Sequence, residues 1–216
     1  MASSPEAPLL KAHTDALRNS LHSAGLVPGP AASLLPAADW RPATRLRVAF
    51  GEKRVELGTF FRAGECKPAK PVVRFGFAAP AERNRRFTFL MIDPDAPTPD
   101  DPKFAFWRHW VVSGLAPRGT GEEEDDGVAE EAGKDCGTEV TEYLGPGPKD
   151  DSKPHRYLFL LYQEPDGMRA PSKEDVGGDE FVQRRSFDAA AFAARHGLAL
   201  VGLNWMTCAG DGWAEV

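Results

Sequence analysis

Apolar positions in this chain come in short runs that are rich in β-branched and aromatic residues and are cut off by Gly, Pro, Lys or Asn. They read RLRVAF, VELG, VVRFGF and FTFLMI, then HWVVSGL, EVTEYLG, RYLFLLYQ and LVGLNWM. Runs of this length and content predict β-strands. In FTFLMI, Phe87, Phe89 and Met91 project to one side and Thr88, Leu90 and Ile92 to the other. Both sides are mostly apolar, so this strand is expected at the centre of a sandwich.

Two stretches change period. In SSPEAPLLKAHTDALRNSLHSAGLVPGP, Ser3 or Ser4 suits an N-cap, Pro5 the first helical position and Gly25 the stop, and Pro8 is expected to confine the regular helix to the residues after it. Leu10, Leu17, Leu21 and Ala24 form its apolar stripe, which either docks on its own domain or inserts into a partner. Near the other end, Asp188 suits the N-cap of a short helix, with Phe187 stapled to Phe192 and Gly197 as the stop. The polar stretch EPDGMRAPSKEDVGGDEFVQR before it reads as a long loop that carries a helical turn. The expected fold is mainly β: an antiparallel β-sandwich with an N-terminal helix and a short C-terminal helix. Residues 1–30 are expected to form the helical segment, and 31–216 the sandwich domain.

Composition adds limits. A chain of 216 residues with 42% hydrophobic content can bury one sizeable core. The net charge of −6 argues against non-specific nucleic-acid binding through a basic face. Between Arg118 and Cys136, eight acidic residues against Arg118 and Lys134 account for the whole of that charge. This Gly-rich, acidic stretch, at about 118–138, is expected to be a mobile loop, either a tolerated solvated insertion or a steering device for a basic partner. Cys66, Cys136 and Cys208 have neither an even count nor C-x-x-C spacing, which argues against a disulfide framework or a zinc knuckle. With no signal-like N-terminus and no long apolar window, the expected location is cytoplasmic, with at most peripheral membrane contact.

The candidate chemistry lies at strand boundaries. Asp93 and Asp95 are set between prolines in DPDAP, which stiffens the exit from FTFLMI. His109 lies near the start of HWVV, His155 opens RYLFLLYQ, and YLGPGPK between them offers glycine backbone to a ligand. Each carboxylate alone is equally well read as a turn cap, and a lone histidine beside a tryptophan is more often a packing residue.

The motifs DPDAP, DPKFAFWRHWVV and YLGPGPKDDSKPHRYLFLLYQEP, in this order and spacing, strongly resemble those of the phosphatidylethanolamine-binding protein family, over about residues 40 to 206. The N-terminal helix, LGTFFRAGECKPAKPVVRFGF and the ending FDAAAFAARHGLALVGLNWM look most like its carboxypeptidase Y inhibitor branch. The resemblance implies a β-sandwich with a small anion pocket. Asp93, Asp95 and Pro97 would form one wall, Trp107 and His109 a second, and Gly145, Gly147, His155 and Tyr157 a third. The implied ligand is a phosphate ester or phosphoethanolamine head group. An imidazole held by a carboxylate on one nitrogen can donate from the other to a phosphate oxygen. Lys149, Asp151 and Lys153 replace a proline and two glycines common in the third motif, and Phe104 replaces a tyrosine, which puts affinity and head-group choice in doubt.

Function classes divide accordingly. A metal-dependent hydrolase has a legitimate ligand set in two His and two Asp. Against it, the chain lacks H-E-x-x-H, H-x-H and G-x-S-x-G, and no serine or cysteine reads as a nucleophile within the motifs. The favoured class is a binding module, not an enzyme, with no cofactor and no metal. Its implied partner is a serine carboxypeptidase or, by the wider family, a signalling kinase or GTPase regulator. The segment opening Ala2–Ser3 is the part expected to enter a protease cleft.

Overall fold

A computed structural model describes residues 6–77, 82, 84–117 and 137–215. The Ser3/Ser4 cap, Pro5 and the acidic stretch up to Cys136 lie outside the described residues. Helix α1 spans Glu6–Ser23, and strands β1 (Arg47–Phe50), β2 (Lys53–Arg54) and β3 (Thr59–Arg62) come after it. Next are the short helix α2 (Ala63–Cys66), β4 (Val72–Arg74), β5 (Phe87–Asp93) and β6 (Trp107–Leu115). The chain continues with β7 (Thr138–Thr141), β8 (His155–Gln163), α3 (Ala189–Arg195) and β9 (Ala199–Ala209).

Two sheets result. The smaller has the order β2-β1-β4, and the larger β3-β9-β8-β5-β6-β7. Among the described residues all pairings are antiparallel except one: β3 runs parallel to β9, so the larger sheet is mixed where an all-antiparallel sandwich was expected. The exception lies at the sheet edge, and a long connection through the rest of the fold separates its two strands, as parallel pairing requires.

Strand β5 is buried along its whole length between β8 and β6, as its two apolar faces predict. Phe87, Phe89 and Met91 pack towards the small sheet, with Phe61, Phe159 and Leu161. Leu90 and Ile92 pack on the opposite side against Leu17 and Leu21 of α1 and Phe192 of α3. Helix α1 therefore docks on its own domain. Trp205 of β9 ties it down, donating from Nε1 to Ser20 Oγ at 3.0 Å. Pro8 does not delay the helix, because it falls in the first turn, where its missing N–H would have no intrahelical acceptor.

Helix α3 forms as predicted. Asp188 Oδ1 accepts from Ala191 N at 2.9 Å, and the Phe187 and Phe192 rings lie 5.5 Å apart. The loop before it carries two 3₁₀ turns, Glu174–Val176 and Phe181–Arg184. VELG is not a strand of its own but the link from β2 to β3. Gly58 has φ 113° there, and a Cβ on it would come 2.7 Å from the Trp205 ring.

Candidate functional site

Because β5 is antiparallel to both β6 and β8, its C-terminal end lies beside their N-terminal ends. Asp93, Trp107, His109, His155 and Tyr157 are thereby delivered to one end of the large sheet. The pairing of β5 with β6 contains a bulge: Ile92 opposes Arg108, yet Met91 opposes Trp110. His109 is the extra residue. A bulge turns two successive side chains to the same side, so His109 joins Trp110 on the small-sheet side while Arg108 faces the helices.

Asp93 is almost wholly buried and uses both carboxylate oxygens. Oδ1 accepts from Asp95 N at 2.6 Å, closing the DPDAP turn, and Oδ2 meets His155 Nδ1 at 2.8 Å. It is both turn cap and histidine partner. His155 Nε2 is not left open, since Ser152 Oγ stands 3.1 Å from it. The Tyr157 ring lies nearly parallel to His155 at 6.4 Å and edge-on to His109 at 5.1 Å. Burial holds the Tyr157 phenol well above its ordinary pKa, so it stays a protonated donor.

His109 grips the YLGPGP loop. Its Nδ1–H donates to Leu144 O at 2.6 Å, and its backbone oxygen accepts from Leu144 N at 2.9 Å. Burial lowers its pKa, with Arg184 and His155 adding to the fall, against the opposing pull of Asp93 and the bond to Leu144. The ring is thus neutral near pH 7, with its lone pair on Nε2. Farther along the loop, Gly145 passes so close to the end of α2 that a Cβ would sit 2.9 Å from Lys67 Cα. Tyr143 pins the same loop by donating its hydroxyl to Cys66 O at 2.7 Å.

Other expected site residues sit apart from this cluster. Asp95 faces Arg156, with Oδ1 2.6 Å from Nη2 and Oδ2 accepting from Nε at 2.9 Å and from the backbone N at 2.7 Å. Trp107 packs edge-on to Phe181 at 4.9 Å, with Arg185 over its ring. Pro97 is half-buried after a cis peptide bond. Gly147 is exposed, and a Cβ built on it would come 3.9 Å from Lys67 Cε. Of the motif departures, Lys149 and Asp151 are exposed and Lys153 Nζ pairs with Asp100 at 2.7 Å.

Four residues that support or extend the site were not singled out from the sequence. Arg156, between His155 and Tyr157 and so on the opposite face of β8, carries the charge for Asp95 and also donates to Ala24 O at 2.9 Å and Gly25 O at 3.2 Å. Arg108 is completely buried and donates to Thr141 Oγ1 at 2.7 Å and to the carbonyls of Val176 and Gly178. Burial, with repulsion from Arg184, pushes its pKa down to about 10. Arg184 donates to His109 O at 3.1 Å and Glu142 O at 2.9 Å. Ser152 lies against His155, because a turn closed by Ser152 N and Lys149 O at 3.1 Å sets its hydroxyl there.

Comparison with known proteins fits this geometry. Residues 52–205 match the phosphatidylethanolamine-binding protein family. The chain belongs to that family. It is 32% identical over 163 residues to Protein MOTHER of FT and TFL1 homolog 2 of Oryza sativa subsp. japonica, covering 74% of this chain and 77% of that one. It is 38% identical over 86 residues to the carboxypeptidase Y inhibitor of Saccharomyces cerevisiae, 38% of this chain and 39% of the inhibitor. Among solved structures, the carboxypeptidase Y inhibitor complexed with its cognate proteinase superposes with a TM-score of 0.69 at 22% identity, covering 92% of this chain and 97% of that one. The phosphatidylethanolamine-binding protein from Plasmodium vivax gives 0.61 at 19% identity, with 89% and 97% covered. These two likenesses establish the fold. Among the described residues, no helix is long and apolar enough to cross a membrane, and no group of His, Cys, Asp or Glu is arranged to hold a metal.

Proposed function

We propose that this chain binds a phosphate-ester head group at the end of the large sheet and regulates a partner enzyme, with a serine carboxypeptidase as the first candidate. The observation that carries the binding reading is the convergence of Asp93, His109, His155 and Tyr157. The Tyr157 hydroxyl supplies a donor for phosphate oxygens. His109 Nε2 becomes a second when the anion draws a proton onto the ring, and His155 adds another once the anion displaces Ser152. Trp107, Pro97, Gly145 and Gly147 frame the approach in this reading, while Asp95 holds the lip through Arg156. Regulation needs no turnover and no cofactor.

The inhibitor reading draws support from the similarity to the yeast carboxypeptidase Y inhibitor and from the fold of its complex. The longer match to the rice relative supports a second reading, a signalling modulator or head-group sensor that leaves proteases alone. The test pairs two assays on one sample. Calorimetric titration with O-phosphorylethanolamine should give binding that His109→Ala and Asp93→Ala abolish; equal binding by all three proteins rejects the site. Inhibition of a serine carboxypeptidase should be tight in the full chain and lost when residues 2–5 are removed. Residues 6 to 26 must stay, because Leu17, Leu21 and Leu26 belong to the core. Head-group binding without inhibition selects the second reading.

A further inference from the structure

Ser152, His155 and Asp93 stand in line. Ser152 Oγ is 3.1 Å from His155 Nε2, and His155 Nδ1 is 2.8 Å from Asp93 Oδ2. All three residues are nearly closed to solvent, at 4%, 3% and 3% exposure. The carboxylate is itself fixed, since its other oxygen accepts from Asp95 N. An Nδ1–H bond to Asp93 selects the tautomer whose Nε2 lone pair faces the hydroxyl. This is the order of nucleophile, base and orienting acid used in acyl transfer, and such a triad is recognised by geometry on unrelated folds.

We propose that Ser152 is a nucleophile, activated by His155 and Asp93, that accepts the acyl group of a small carboxylic ester. Ser152 Oγ attacks the carbonyl carbon while its proton passes to His155 Nε2. The bond from carbonyl carbon to leaving oxygen then breaks, and that oxygen takes the proton and departs as an alcohol. Water, giving a proton to the same Nε2, attacks the acyl-serine; the carboxylic acid leaves and Oγ recovers its proton. Ser152 Oγ–H also has Lys153 O as an acceptor at 3.0 Å, so the reactive rotamer turns the proton from that carbonyl to Nε2. Tyr157, stacked beside His155 and held protonated by its burial, is the hydroxyl donor in this cluster for the negative charge that develops on the carbonyl oxygen. Acyl transfer to Ser152 does not require head-group binding, although the two share His155: an anion bonded to Nε2 would take the place of Ser152 and stop the reaction.

The experiment is reaction of the full chain with p-nitrophenyl acetate, monitored by stopped-flow absorbance and by mass mapping of the acetylated peptide. The expected result is a nitrophenolate burst approaching one equivalent per chain, with the acetyl group on Ser152. Ser152→Ala should remove the burst, and His155→Gln should slow it by roughly a hundredfold. An acetyl group found only on lysines, the absence of any acetyl-serine, or an unchanged burst in a folded Ser152→Ala protein would overturn the proposal. The site of acetylation is read on the unaltered chain, so the test holds even where a variant fails to fold.

Discussion

Asp95 and Arg156 are joined by three hydrogen bonds, two from the guanidinium and one from the backbone N–H, at 2.6 to 2.9 Å. The carboxylate is 1% exposed and the arginine side chain 23%. Asp95→Ala leaves the guanidinium and a backbone N–H without their acceptor. The expected cost is on the order of 3 kcal/mol, below that of a fully buried pair because Arg156 retains some access to water. The urea midpoint of the variant measures this. A loss under about 1 kcal/mol would show that the carbonyls of Ala24 and Gly25 hold Arg156 without Asp95.

His109 gives the protein a pH dependence. Its pKa is lowered on folding, mainly by burial, so below about pH 6.5 the unfolded chain binds the proton more readily than the folded one. Its contribution is therefore intact above that pH and erodes as the pH falls, by up to about 1.4 kcal/mol per pH unit. Urea midpoints at pH 7.5 and 5.5 should differ more in the natural protein than in His109→Gln. Equal shifts in the two would assign the acid sensitivity elsewhere.

Arg108 is a buried cation whose contacts are mostly backbone carbonyls of the loop before α3. Lysine carries the same charge but lacks the planar fork that reaches Thr141, Val176 and Gly178 together. Arg108→Lys should cost at least about 2 kcal/mol and leave acceptors in that loop unpaired. Limited proteolysis should then cut first between residues 174 and 185. If the cleavage pattern matches that of the natural protein, the loop is held by other contacts.

The strands and α3 were legible because their signals are local. Alternation in FTFLMI separates its two faces correctly, and Asp188, Phe187 and Gly197 mark the limits of a helix by chemistry that needs no tertiary partner. The parallel pairing of β3 with β9 was not legible, since nothing in either strand specifies direction across so long a separation. The family motifs pointed to the Asp and His residues that cluster, but not to the division of labour between Asp93 and Asp95. That division depends on Arg156, whose orientation is fixed only once β8 is paired. Ser152 was hidden for a related reason. Its sequence context, KDDSKPH, lies inside a family motif but has no nucleophile signature such as G-x-S-x-G, and its meaning comes from a turn that folds it back on a histidine three residues away.

The extra residue in β6 makes the placement of His109 a question of parity. Were the ladder with β5 unbroken, odd and even positions would alternate, and His109 and Trp110 could not both lie on the side where Trp110 meets Phe89. Both rings are kept there because the count slips by one. Removing either of these two residues would restore the alternation with Arg108 still opposite Ile92, and would leave one ring on that side where two now stand. A relative that aligns without a gap through WRHWVV therefore keeps the arrangement, and one that needs a gap there does not.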